Sequence, residues 1–67
     1  MTVKQFITSK SRLTIVIDKL RNGAYQAYEV RTLSEGGNTP ILNSWSLDWL
    51  IDTLHVRYLP ETLEIVF

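Results

Sequence analysis

Few residues in this chain could do chemistry. Its 67 residues include one histidine, His55, and no cysteine. Asp48, Asp52 and His55 stand at i, i+4 and i+7, so on a helix one face would carry two carboxylates and an imidazole. Such a trio is the raw material of a metal site or of general acid–base chemistry. It is also what a solvated polar helix face looks like. The second reading is preferred, because a single helix offers few ligands and nothing else in the sequence supplies a fourth. The lack of cysteine excludes a disulfide framework and a thiolate metal site. Serine and threonine are plentiful, but none sits in a G-x-S-x-G elbow. Gly36-Gly37-Asn38 lacks the surrounding pattern of a phosphate-binding loop and reads as a linker. Glu61 and Glu64 flank the start of a strand and would form a carboxylate pair only by coincidence of folding. The expectation is a protein that is not an enzyme and has no cofactor and no metal.

The elements that must position any site are legible in outline. Residues 12–20 and 24–33 are rich in β-branched and aromatic types and are separated by Arg21-Asn22-Gly23. Asn-Gly between two such runs predicts a hairpin with a two-residue type I′ turn. That turn would place Ile17 opposite Tyr28, Ile15 opposite Val30 and Leu13 opposite Thr32 on an apolar face. Thr14 with Arg31, Val16 with Glu29 and Asp18 with Ala27 would form the other, mostly polar face. Residues 2–8 read as a further strand, and residues 34–43 as a loop, since Gly36, Gly37 and Pro40 break regular patterns.

A helix is predicted over residues 47–59. Ser46 would cap it, Trp45 and Leu50 would staple its entry, and Pro60 would end it. Its apolar stripe is Leu47, Leu50, Ile51, Leu54 and Tyr58. Residues 62–67 alternate as a last strand, with Leu63, Ile65 and Phe67 on one face. The expected fold is a single α+β domain over residues 1–67: a small antiparallel β-sheet of about four strands, in the order β-β-β-α-β, with one helix packed on one face.

Two features suggest binding. At about 100° per residue, Trp49 falls about 200° and Val56 about 180° from Leu47, opposite the core stripe. Two readings of Trp49 stand side by side. It is an interface anchor on the back of the helix, with Val56 as apolar neighbour and Asp52 as orienting charge. Or it is second-layer core, covered by residues 34–43 with Ile41 and Leu42. The other feature is charge. Lys4, Lys10, Arg12, Lys19, Arg21 and Arg31 face only Asp18 and Glu29 in residues 1–31. Residues 32–67 hold Arg57 against Glu35, Asp48, Asp52, Glu61 and Glu64. The zero net charge therefore conceals a basic half and an acidic half. Lys10, Arg12, Lys19, Arg21 and Arg31 are the candidate phosphate contacts of a nucleic-acid-binding β-ribbon.

Composition sets the frame. Hydrophobic residues at 45% with 21% charged residues describe a soluble folded domain, not a disordered tail. No apolar run approaches the roughly 18 to 20 residues of a membrane span, and the apolar stretch behind Lys4 is too short for a signal peptide. A cytoplasmic protein with no membrane association is expected. Below about 70 residues one core rarely contributes more than about 3–5 kcal/mol, so an oligomeric or partner contact is a reasonable expectation. The functional expectation is a small non-enzymatic protein-interaction module of adaptor or inhibitor type. It would dock onto a protein partner, or a second copy as a homodimer, through Trp49, Asp52 and Val56. The alternative is the nucleic-acid-binding ribbon.

Overall fold

The computed structural model describes residues 1–30 and 38–67. Strands β1 (Thr2–Thr8), β2 (Thr14–Lys19), β3 (Tyr25–Val30) and β4 (Asn38–Ser44) precede helix α1 (Leu47–Arg57) and the short strand β5 (Leu63–Ile65). The five strands form one antiparallel sheet in the order β4-β3-β2-β1-β5. The fold is α+β, as expected, with one strand more than expected. α1 carries the chain from one edge of the sheet to the other. Eleven helical residues span about 16 Å, close to the roughly 19 Å between the outer strands of a five-stranded sheet.

The core lies between that helix and one sheet face. Phe6, Ile15, Ile17 and Ala27 from the sheet meet Leu50 and Leu54 from the helix, and Leu63 closes the β5 side. Leu47, Ile51 and Tyr58 flank them, so the predicted stripe is the face that packs. The helix begins as expected, with the Ser46 hydroxyl accepting from the Trp49 N–H at 3.2 Å. It ends at Arg57, and the Leu59–Pro60 peptide is cis.

The hairpin forms between the expected runs, but in a different register. Ile17 pairs with Ala27, Ile15 with Glu29, Val16 with Tyr28 and Thr14 with Val30. The cause is a three-residue turn in place of the expected two-residue one. The Leu20 carbonyl accepts from Gly23 N–H, and Leu20 N–H donates to Ala24. Only Gly23 takes a positive φ, of 92°, which is the pattern of a type I turn closed by a glycine bulge. Asn22 serves through its side chain, its Oδ1 accepting from Ala24 N–H at 3.0 Å. Ile15 and Ile17 still face the core, whereas Tyr28 and Val30 pass to the opposite sheet face with Val16.

The second correction concerns residues 34–43. The stretch 38–44 is strand β4, paired with β3, while 31–37, with Arg31, lie outside the described residues. Pro40 is compatible with this strand because β4 is an edge, where a missing N–H disrupts no ladder. The register slips between Ala27 and Tyr28, which accommodates the extra residue Ile41.

Candidate functional site

The outer face of α1 is built by the same periodicity that builds the core. With Leu50 and Leu54 fully buried, the residues opposite them must point to solvent. Trp49 is 51% exposed and Val56 69% exposed, with Asp52 exposed between them. Trp49 is therefore surface rather than second-layer core, among the described residues. Its backbone is held by the Ser46 cap, and Asp48 in the first turn complements the positive helix end. The three expected contact residues thus share one helical face, with the Asp48 carboxylate beside them.

Trp45 is a second exposed indole, placed differently from the expected staple. Instead of burying itself as a staple, it is 71% exposed and leans over the β2–β3 turn. Together with Leu20, Asn22, Ala24, Asn43 and Ser44 it lines an open hollow of about 260 Å³. The indole lies beside the turn, 3.9 Å from where a Cβ on Gly23 would stand.

The other expected groups are dispersed. Lys10 and Arg12 sit in the β1–β2 turn, whereas Lys19 and Arg21 stand at the far end of β2. Six strand residues, about 20 Å, separate the two pairs. Arg12 is joined to Glu64 at 3.2 Å, and the Lys19 ammonium lies 6.0 Å from the Tyr25 ring centroid. His55 packs edge-on against Phe6, with ring centroids 6.3 Å apart. Among the described residues no group of three or more His, Asp or Glu could hold a metal ion.

One polar cluster was not anticipated. The Glu61 carboxylate accepts from the backbone N–H groups of Lys10 (2.7 Å) and Ser11 (2.6 Å) and from the Ser11 hydroxyl (2.8 Å). These bonds, Ser11 N–H foremost, hold its carboxyl below the usual range. Thr8, fully buried, accepts from Leu13 N–H at 2.8 Å and shares a hydrogen bond with the Ser11 hydroxyl. Nearby, where Glu61 N–H donates to the Tyr58 carbonyl at 3.0 Å, the Tyr58 hydroxyl donates to Glu29 at 3.4 Å. Burial, reinforced by the Glu29 charge, raises the Tyr58 phenol above its ordinary value. Both clusters spend their polar groups on structure. No buried side-chain polar atom among the described residues lacks a partner.

Comparison with protein-family models, with curated proteins and with solved structures finds no match. No described helix is long and apolar enough to cross a membrane.

Proposed function

We propose that this chain is a non-enzymatic protein-interaction module, of adaptor or inhibitor type, that docks onto a protein partner through the outer face of α1. The observation that carries the reading is the exposure of Trp49 beside Val56 on a capped helix packed firmly to the sheet. A large aromatic side chain kept in water on a rigid element is costly in isolation and useful as an anchor. Because the helix is already ordered, docking would lose little backbone entropy. Asp48 and Asp52 give the anchor an acidic rim, so the complementary surface is an apolar hollow edged by lysine or arginine.

The test compares the wild type with Trp49→Ala as bait in extract of the source cells. Both should unfold at nearly the same temperature, and a stoichiometric partner should be retained by the wild type and lost by the variant. Retention of that partner by folded Trp49→Ala would refute the reading.

A further inference from the structure

We infer that the sheet face turned away from α1 carries a binding site for a neutral oligosaccharide, in a trough along β4 that begins at the Trp45 indole. The site goes beyond the helix surface proposed above and shares no residue with it. Gln26 and Asn43 are cross-strand partners, and Gln26 alternates with Ala27, which faces the core. Their side chains therefore stand on the uncovered face. Two hollows meet at Asn43. One is the hollow of about 260 Å³ that Trp45 lines. The other, of about 340 Å³, is formed by Gln26, Pro40, Ile41, Leu42 and Asn43, where the β4 register slips. Each is near the small end of ligand-site volumes, about 300–1,000 Å³, so together they suit a short chain of rings.

The lining selects hydroxyl groups over charged ones. Among the described residues, none that lines either hollow is charged. The hydrogen-bonding atoms left over are of both kinds. Asn22 Oδ1 accepts from Ala24 N–H at 3.0 Å, which leaves its amide nitrogen to donate. The Gln26 amide nitrogen donates to the Leu42 carbonyl at 2.8 Å and the Ala27 carbonyl at 3.1 Å, which leaves Oε1 to accept. Ser44 Oγ accepts from Ser46 N–H at 3.0 Å and keeps its own hydrogen to donate. A hydroxyl both donates and accepts, so a ring bearing several of them satisfies this mixture. A phosphate chain needs cations instead. Lys19 does not supply one, because it lies with its cross-strand partner Tyr25 on the α1 side of the sheet.

Trp45 supplies the platform. Its indole is 71% exposed, at the rim of a hollow whose apolar lining is Leu20 and Ala24. The face of an indole is electronegative. The C–H hydrogens on one face of a pyranose ring are weakly positive, so the ring stacks there while its hydroxyls reach the amides at its rim. Both hollows are open to solvent, and bound rings stay partly wet. Affinity of about 0.1–10 mM is expected.

Two-dimensional NMR of the full chain, labelled with nitrogen-15, tests the inference at the Trp45 indole N–H and the Asn22, Gln26 and Asn43 side-chain amides. The probes are cellotetraose, laminaritetraose, maltotetraose and N-acetylated chitotetraose, each to about 10 mM, and a single-stranded thymidine decamer. At least one tetrasaccharide should move those signals saturably, in the wild type and in Trp49→Ala alike. Trp45→Ala and Asn43→Ala both change exposed side chains. Each should keep the dispersed spectrum of the folded chain and weaken binding about tenfold or more. Silence toward all four sugars overturns the inference, as does binding that survives in folded Trp45→Ala. A response to the decamer alone also overturns it and makes the trough a nucleic-acid site. Should Trp45→Ala fail to fold, Asn43→Ala decides by the same criterion.

Discussion

Glu61 ties together two segments that stand 50 residues apart along the chain. Its carboxylate takes the N–H groups of a tight turn that strand pairing leaves without partners, and those bonds require it to be ionised. Its folded pKa lies below the unfolded value of about 4.3. The contribution is thus present in full above that value and is lost as pH falls through the folded pKa. Glu61→Gln should lower the thermal midpoint at pH 7, and the gap from the wild type should close as the pH is taken to about 3. A gap that stays constant across that titration would assign the effect to shape rather than charge. Two backbone positions predict opposite signs from one argument. Gly23, at φ 92°, has open space around it, the nearest atom to an added Cβ being on Trp45 at 3.9 Å. Gly23→Ala should still cost about 1 kcal/mol, through the backbone alone. Arg12 already pays for a left-handed conformation, at φ 59°, and its ion pair with Glu64 joins two exposed side chains. Such pairs contribute little, so Arg12→Gly should be neutral or stabilise by up to about 1 kcal/mol. Urea unfolding of the two variants reads both signs.

Helix α1 shows at the scale of one element how a single periodicity serves two surfaces. Leu54, fully buried among Phe6, Ile15 and Ile17, should cost about 2–5 kcal/mol when cut to alanine. Trp49→Ala removes a larger side chain yet should cost less than about 1 kcal/mol, because half of it is already in water. Chemical denaturation of both variants tests the ordering, and a Trp49 cost matching that of Leu54 would make the indole structural. The helix was legible because its signals are local: a cap, a stripe and a proline all act within a few residues. Ile15 and Ile17 were legible for the same reason, as β-branched residues alternating beside a turn. The register was not, since Asn22-Gly23 suits a two-residue turn as well as a three-residue one, and the choice moved Tyr28 and Val30 across the sheet. Strand β4 was hidden because proline argues against a strand, and only its edge position, a property of the whole sheet, makes Pro40 tolerable. The Glu61 bonds had no local signal at all. Of the candidate site, Trp49, Asp52 and Val56 came together as their helical spacing implied, whereas Lys10 and Arg12 stand apart from Lys19 and Arg21 because a hairpin separates its ends.

For the whole molecule, strand order determines where stability concentrates. β2 is the middle strand, paired on both sides and supplying Ile15 and Ile17 to the core. Both edge strands, β4 and β5, are held on one side only. β5 is paired over three positions only, and β4, though longer, has an interrupted register with Asn38, Thr39 and Pro40 exposed. Opening free energies should therefore fall from β2 toward β4, with the β2 amides approaching the global value. Native-state hydrogen exchange, residue by residue, reads this gradient directly. Equal protection in β4 and β2 would mean that the sheet opens as one unit, so that so small a core permits no partial opening. The expected gradient has a functional sense. Leu50 and Leu54 join the helix to Ile15 and Ile17 of the slow-exchanging centre, which would steady a docking surface on the outer helix face.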